Sequence, residues 1–217
     1  METLGPALIS ILSEHLSGKP IDRSFWQNLD NRARIWLSEA IVAAKRKTPA
    51  EVRVCDYDMQ WPYLFSRTES ELREQLGALV LAIEHVGSTS VPGLAAKPII
   101  DIEVVISSSY QFPSVKERLE RFGYIHRGPC GVPDREVFRC VIDLPFHHLY
   151  VSEMDARPLK ELLLFRNALR QNPELVSEYA ELKRALADQY RHDREAYTEA
   201  KTGFIRSVTQ SSLAKSD

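Results

Sequence analysis

The sequence predicts an α+β fold in which a mixed β-sheet is flanked by helices, with a helical extension before it and further helices after it. Two apolar runs, residues 80–86 and 99–106, border clusters of Gly, Ser and Pro, which is typical of strands in the interior of a sheet. Before residue 50 and after residue 157, apolar residues instead recur every three or four positions, the period of an α-helix. We therefore expect a sheet between two helical segments.

Size and composition narrow the class of protein. The 217 residues, 44% hydrophobic and 27% charged, suffice for one well-packed domain and an accessory segment. A net charge of −2 provides no general attraction for nucleic acid, so we do not expect nucleic acid as a partner. No stretch approaches the roughly 18 apolar residues of a membrane span, and no signal peptide is recognisable, which predicts a cytoplasmic protein without membrane contact. The three cysteines form no CxxC pair, so we expect reduced thiols.

Residues 1–50 are predicted to form a helical N-terminal extension. Its first helix ends at residues 18–20, which read Gly-Lys-Pro, and places four apolar residues on one face: Leu8, Ile11, Leu12 and Leu16. A single second helix is expected from the spacing of Phe25, Leu29, Ala33, Trp36, Ala40 and Ala44. Such a segment could mediate self-association, so a homodimer is one expected assembly.

Residues 51–208 are predicted to form the main domain, which begins with a short strand at 52–55. Asp58 is expected to cap a helix that directs Phe65, Leu72, Leu76 and Leu79 inward. The two apolar runs follow as strands joined by a loop at 87–98.

The second half of this domain is predicted to alternate between short elements before it becomes helical. A helix over 111–122 ends at Gly123, and three shorter strands are expected at 124–127, 136–142 and 147–152. Residues 128–134 contain two glycines and two prolines, which predicts a loop. Helices are expected from 157 to about 208, with breaks near 172–173 and 192–193, and residues 209–217 are predicted to be a disordered tail.

The strongest candidates for chemistry are Asp101 and Glu103, which lie within the second apolar run. Positions i and i+2 of a strand share one face, so two carboxylates at this spacing can bind the same hard cation, such as Mg²⁺. A buried strand should not carry two ionised groups on one face without a partner. A solvated edge strand, or acids paired with Arg and Lys, would also explain the pattern. We predict that both residues are catalytic and bind metal.

A Gly-Ser-Thr turn between the two apolar runs is a candidate phosphate site. A glycine at the end of a strand lets the backbone approach a phosphate, while nearby amides and a hydroxyl donate to its oxygens. A simple tight turn would show the same pattern. Lys97, in the same loop, is either a phosphate contact or a solvated surface lysine. We predict that Gly87, Ser88, Thr89 and Lys97 bind the phosphates of a nucleotide.

Five further side chains are predicted to contact substrate: Arg135, Arg139, His148, Tyr150 and Lys201. The two arginines carry planar guanidinium groups suited to phosphate, and His148 and Tyr150 share one face of a predicted strand. A histidine can equally be a hydrogen-bonded structural group. A lysine on a helix surface is often only solvated.

The segment His85-Val-Gly-Ser-Thr-Ser-Val-Pro-Gly-Leu-Ala-Ala-Lys-Pro-Ile-Ile-Asp-Ile-Glu103 closely resembles the signature of the GrpB family, which also occurs fused to some bacterial dephospho-coenzyme A kinases. Other similar segments bring the resemblance to about residues 54–206: Tyr57-Asp-Met-Gln-Trp-Pro62, Gly123-Tyr124, Arg135 to Phe138, and Leu164-Phe-Arg-Asn-Ala-Leu-Arg170 with the helices after it. The family is similar to polymerase-β-like nucleotidyltransferases, in which a Gly-Ser turn and an acid pair bind a nucleoside triphosphate and two Mg²⁺ ions.

This resemblance implies that Gly87 and Ser88 contact phosphates and that Asp101 and Glu103 bind Mg²⁺. The sequence departs from the family in reading His148-Leu149-Tyr150 where a His-Leu-His pattern is common, and residues 1–50 exceed the family core. The expected activity is that of a Mg²⁺-dependent nucleotidyltransferase-like or ligase-type enzyme, which uses ATP or another NTP to activate or modify a small-molecule acceptor.

The main alternative is a non-catalytic nucleotide- or protein-binding module on the same fold. It stays open because no third carboxylate is obvious on a later strand. Glu136, Asp143 and Glu153 are conceivable third ligands whose facing depends on strand register.

Overall fold

The computed structural model describes residues 6–44 and 51–214, and its centre is a five-stranded mixed sheet. The strands β1 (Ala82–Val86), β2 (Ile100–Ile106), β3 (Tyr124–His126), β4 (Glu136–Cys140) and β5 (His147–Glu153) lie in the order β1-β2-β5-β4-β3. β2 and β5 run parallel, whereas the other three pairings are antiparallel. The predicted α+β fold with a mixed sheet flanked by helices is therefore confirmed.

Helices precede, interrupt and follow this sheet. The described residues form nine α-helices: α1 (Pro6–Leu16), α2 (Arg23–Asn28), α3 (Asn31–Ala44), α4 (Trp61–Leu76), α5 (Phe112–Phe122), α6 (Arg157–Gln171), α7 (Pro173–Gln189), α8 (Arg194–Ala200) and α9 (Thr202–Leu213). None of them is both long and apolar enough to cross a lipid bilayer.

One face of the sheet forms the main hydrophobic core. Ile100, Ile102 and Val104 of β2 point to this face and pack with Leu72 of α4 and Leu119 of α5. Because successive side chains of a strand alternate between faces, residues 101 and 103 point to the opposite face, on which α6 packs. The alternation thus separates the apolar core from the predicted acids.

The N-terminal helices belong to the same core. Trp26, Leu37 and Ile41 are buried in it, and the Trp26 indole N–H donates to the carbonyl of Glu120 at 2.8 Å. The amide of Ile21 donates to the carbonyl of Val141 at 2.8 Å, which joins the extension to the end of β4. Buried apolar contact of this kind makes the extension part of the folded unit, whereas the homodimer stays a prediction.

The single second helix predicted for this extension is wrong, because the structure has two. Leu29 adopts an extended conformation that ends α2, and the carboxylate of Asp30 accepts the amide of Ala33 at 2.8 Å, which starts α3. The break rotates the buried stripe, so that Leu37 and Ile41 are buried while Trp36 is only partly covered. Residues 1–5 and 45–50 of the predicted extension lie outside the described residues.

Three further elements differ from their predictions. Residues 52–55 form a single bridge, between Cys55 and Ala96, rather than a strand. β1, expected in the interior, lies at an edge of the sheet. Asp58 accepts the amide of Gln60 at 2.8 Å, but α4 begins after Gln60, so Asp58 stabilises the preceding turn rather than capping the helix.

The C-terminal helices break where predicted and once more at Lys201, between α8 and α9. The predicted disordered tail is partly wrong, because α9 continues to Leu213. Thr209 is buried and its hydroxyl donates to the carbonyl of Ile205 at 2.8 Å, which fixes this turn of the helix. Residues 215–217 lie outside the described residues.

We expect Leu37→Ala to destabilise the whole domain, because Leu37 is 0% exposed in the shared core. Loss of a buried leucine side chain typically costs about 2–5 kcal/mol. Ile35→Ala on the same helix is the matched control, since Ile35 is 51% exposed, and should change stability by less than about 0.5 kcal/mol. Urea denaturation followed by far-UV circular dichroism measures the free energy of unfolding of both variants. A loss in Leu37→Ala as small as that in Ile35→Ala would show that the extension is not part of the core.

Candidate active site

Asp101 lies at the floor of a cavity of about 800 Å³ between the sheet and the C-terminal helices. β2 and β5 align Asp101 with His148, and the Asp101 carboxylate is 3.0 Å from the Nδ1 atom of His148. The Asp101 side chain is 27% exposed, which leaves part of the carboxylate open to the cavity. It is therefore accessible to a ligand.

The turn after β1 packs directly against this carboxylate. Gly87 has a φ of 69°, and a Cβ atom placed on it would lie 2.9 Å from the Cβ of Asp101 and overlap its carboxyl oxygen. The Ser90 hydroxyl donates to the carbonyl of Gly87 at 2.6 Å, which closes the turn. Thr89 is buried, with its hydroxyl 3.0 Å from the Nε2 atom of His85. A glycine is required here because a side chain would displace Asp101.

Glu103 lies beneath the cavity rather than on its wall, since its side chain is 0% exposed. The Ser152 hydroxyl donates to Oε1 at 2.6 Å, while Oε2 is buried without a hydrogen-bond partner among the described residues. Burial raises the pKa of Glu103 from its ordinary value of 4.5 to about 7. The pair predicted from the spacing is thus unequal, with Asp101 partly open to solvent and Glu103 enclosed.

Three lysines form one wall of the cavity, the lysine wall: Lys97 in the loop before β2 and Lys201 between α8 and α9, both partly buried, and Lys183 of α7, which is buried. The ammonium groups of Lys97 and Lys201 lie 5.4 and 4.4 Å from the ring centroid of Tyr197, and the Lys183 ammonium lies 4.5 Å from that of Tyr179 while donating to the carbonyl of Ala95. Burial lowers the pKa of all three lysines. The pKa of Lys201 falls to about 8 and the pKa of Lys183 to about 7.

None of these lysines forms a close ion pair within the described part of the chain, although the Asp101 carboxylate raises the pKa of Lys97 and of Lys201 from a greater distance. Seven basic side chains line the cavity, namely Lys97, Arg135, Arg157, Lys183, Arg194, Lys201 and Arg206, against two acidic ones, Asp101 and Glu161. Glu161 is already paired with Arg157 at 2.7 Å. The cavity is therefore strongly positive and suited to an anion.

Nine of the eleven predicted site residues line this one cavity: Gly87, Ser88, Thr89, Lys97, Asp101, Arg135, His148, Tyr150 and Lys201. Glu103 lies below it. Arg139 is not on its wall and lies near the end of β4, opposite Ile125 of the edge strand β3.

Four basic residues of the cavity were not among the predicted site residues: Arg157, Lys183, Arg194 and Arg206. A usable signal existed for Lys183, which lies four positions after Tyr179 and therefore on the same buried face of α7. A lysine at an interior position of an amphipathic helix needs a partner or a ligand.

No three His, Cys, Asp or Glu side chains in residues 6–44 and 51–214 converge closely enough to hold a metal ion. Of the conceivable third ligands, Glu136 is 2.6 Å from His126, near the far edge of the sheet. Glu153 is aligned with Ile106 and lies on the core side of the sheet, and Asp143 lies in a separate surface cavity. Of the two predicted acids, only Asp101 therefore reaches the cavity, and none of these three residues joins it there.

Comparison with known proteins places the chain in a family. The sequence model of the family described as GrpB protein matches residues 51–211. The chain belongs to the GrpB family. The relationship deduced from the loop and acid motif is therefore confirmed, and α1 to α3 precede the matched region.

Individual GrpB relatives agree with this assignment. UPF0157 protein YqkA of Bacillus subtilis (strain 168) is 31% identical over 160 residues, which cover 74% of this chain and 47% of YqkA. The chain thus spans about half the length of that relative. UPF0157 protein BH1888 of Halalkalibacterium halodurans is 34% identical over 182 residues, covering 79% of this chain and 88% of that protein.

A solved GrpB structure shares the fold. The crystal structure of the conserved protein GrpB from Enterococcus faecalis has 33% sequence identity and a TM-score of 0.68, covering 75% of this chain and 98% of that one. A weaker likeness is to the Cid1 poly(U) polymerase with MgGTP bound, at 14% identity and a TM-score of 0.47, covering 62% of this chain and 44% of Cid1. A TM-score this low supports no functional inference.

We expect Gly87→Ala to be more damaging than Gly93→Ala. Both glycines have a positive φ, of 69° and 78°, so alanine is strained at either position by about 1–3 kcal/mol, and more at Gly87, whose ψ of −173° lies in a region essentially restricted to glycine. Nothing lies within 4 Å of a Cβ at Gly93, whereas one at Gly87 overlaps Asp101, which should cost about 1–3 kcal/mol more. Urea denaturation measures the difference, and equal losses would argue against close packing of the turn on Asp101.

We also expect the stability of the protein to fall with rising pH through the titration of Glu103. Because the folded chain holds this proton up to about pH 7, its contribution is complete below the unfolded pKa of 4.5 and is lost as pH passes through 7. Glu103→Gln removes the titration. Between pH 5 and pH 8, in buffer containing EDTA, the parent should lose roughly 2–3 kcal/mol relative to this variant; parallel pH profiles of unfolding would contradict the raised pKa.

Proposed function

We propose that this GrpB protein is a Mg²⁺-dependent nucleotidyltransferase-like enzyme that binds ATP or another NTP and activates or modifies a small-molecule acceptor. The observation that carries the proposal is the convergence of a Gly-Ser turn, an accessible carboxylate and three lysines without a close ion pair on one cavity. The resemblance of the segment from His85 to Glu103 to nucleotidyltransferase motifs supports the same function. Each part has a separate role in the reaction.

The lysine wall suits the phosphate chain of a nucleotide. Lys97, Lys183 and Lys201 are partly dehydrated and form no close ion pair among the described residues, an arrangement that is unfavourable without a bound anion. A triphosphate would supply that anion and restore the normal pKa of each lysine. On leaving as pyrophosphate it would take up negative charge, which the same groups stabilise.

The two acids have oxygen donors suited to Mg²⁺. This ion is commonly held by one or two carboxylates together with substrate phosphates, so the lack of a third carboxylate in the described residues fits a site that the nucleotide completes. Asp101 would provide the accessible oxygen and Glu103 its unpartnered Oε2, after losing its proton. When bound, Mg²⁺ would neutralise phosphate charge and orient the triphosphate.

Transfer would follow the usual course for such a site. A nucleophilic atom of the acceptor forms a bond to the α-phosphorus while the bond to the bridging oxygen breaks and pyrophosphate leaves in line. The side chains of this protein then act mainly by positioning and by electrostatic stabilisation. The acceptor is a small molecule because the cavity of about 800 Å³ lies within the usual range for small-molecule pockets.

A non-catalytic nucleotide-binding module is the second candidate. The specific observation in its favour is the enclosure of Glu103, whose raised pKa leaves it half protonated near neutral pH. Such a module would bind nucleotide without turnover. The test is to incubate the purified protein with α-³²P-labelled ATP and a mixture of small metabolites. Release of pyrophosphate, with the label retained on a new product, would exclude a non-catalytic module.

We expect Asp101→Asn to abolish the effect of Mg²⁺ on ATP binding. The substitution removes the accessible charge at the cavity floor while keeping the side-chain shape, so affinity for ATP should no longer rise when Mg²⁺ is added. Isothermal titration of ATP with and without Mg²⁺ measures this. Asp188→Asn is the matched control, since that carboxylate is 82% exposed on α7, and should behave as the parent. Metal-dependent binding retained in Asp101→Asn would refute the assigned role.

A further inference from the structure

Arg135 differs from the other basic groups of the cavity in its surroundings. It lies immediately before β4, and its guanidinium carbon is 4.4 Å from the ring centroid of Tyr150. Its Nε atom is buried without a hydrogen-bond partner, and no ion pair of Arg135 occurs among the described residues. A stacked guanidinium with unused donors is suited to a carboxylate or phosphate, which it can bind through two parallel hydrogen bonds.

The order of the strands in the sheet separates Arg135 from the Gly87 turn. The Gly87 turn follows β1, Asp101 lies on β2, and Arg135 precedes β4, with β5 between them. Neighbouring strands are about 4.8 Å apart, so β4 runs about 10 Å beyond β2, on the side away from the turn. Asp101 therefore stands between two places that favour anions.

We propose that Arg135 binds an oxyanion group, a carboxylate or a phosphate, of the acceptor, which is therefore a small anionic molecule. This inference rests on the proposed function. If the triphosphate lies along the Gly87 turn and the lysine wall, the attacking atom must approach the α-phosphorus from the side opposite the leaving pyrophosphate. The open approach runs over β5 toward β4, where His148, Tyr150 and Arg135 line the cavity.

A purely structural role for Arg135 makes a different prediction. Its positive charge lowers the pKa of Glu103 and so offsets part of the effect of burial. If that were its whole role, replacing Arg135 would change the titration of Glu103 without affecting the binding of any anion. Arg135→Lys keeps the charge near Glu103 but loses the planar pair of donors, so the two roles separate in this variant.

The test is titration of inorganic phosphate, and in parallel acetate, into protein saturated with Mg²⁺ and a non-hydrolysable ATP analogue that occupies the lysine wall. We expect one of the two probes to bind, and binding to weaken at least tenfold in Arg135→Gln and several-fold in Arg135→Lys. Arg121→Gln is the control, because that arginine is 70% exposed on α5, and should bind as the parent does. Binding of phosphate would indicate an acceptor with a phosphate group, and binding of acetate an acceptor with a carboxylate.

Binding of neither probe, or binding unchanged in both Arg135 variants, would overturn the inference. If Arg135→Gln does not fold, the Arg135→Lys comparison decides alone. Failure of the nucleotide analogue to bind would instead refute the proposed function, and the titration is then made on the free protein. There Lys201→Gln should remove phosphate binding at the lysine wall, and Arg135→Gln should remove a second, separate binding event.

Discussion

The alternation of side chains along β2 is the constraint on which the site depends. Its even-numbered residues are apolar and fill the core against α4 and α5, so Asp101 and Glu103 must face the other side of the sheet. A shift of register by one residue would bury both acids in that core. Parallel pairing with β5 then places His148 and Tyr150 beside the acids. The hydrophobic core on one face of the sheet therefore positions the polar site on the other face.

Burial shifts the pKa values of the acid and the lysines around the cavity in opposite directions. Burial disfavours the charged form of every group, so it raises the pKa of Glu103 and lowers the pKa values of Lys183 and Lys201. The protein maintains both effects at a cost in stability, which is common where binding groups are arranged before the ligand arrives. The packing of Gly87 against Asp101 is another such arrangement, since it holds the carboxylate in place without a further hydrogen bond.

Local patterns in the sequence predicted most of the fold and part of the cavity lining. Apolar patterns located β2, β5 and the C-terminal helices, and the loop and acid motif predicted a site around Gly87 and Asp101, which the fold brings into contact. The sequence could not show that β1 lies at an edge or that Arg139 lies off the cavity wall, because both depend on how the strands are arranged in the sheet. The break between α2 and α3 was hidden by apolar residues that keep a helical spacing across Asp30. The spacing of Lys183 from Tyr179 does predict a buried position on α7, but its hydrogen-bond partner, the carbonyl of Ala95, lies 88 residues away and is known only from the structure.

The mixture of an enclosed acid and enclosed amines has a consequence for the exchange of protons with solvent. Near neutral pH, Glu103 carries a proton for part of the time and Lys183 lacks one for part of the time. If the proposed function holds, arrival of a cation beside Glu103 would expel a proton, whereas arrival of a polyphosphate beside Lys183 would take one up. When the two ligands enter together, these changes would oppose each other. The protein would thus acquire a highly charged ligand with little net release of acid to the surrounding buffer.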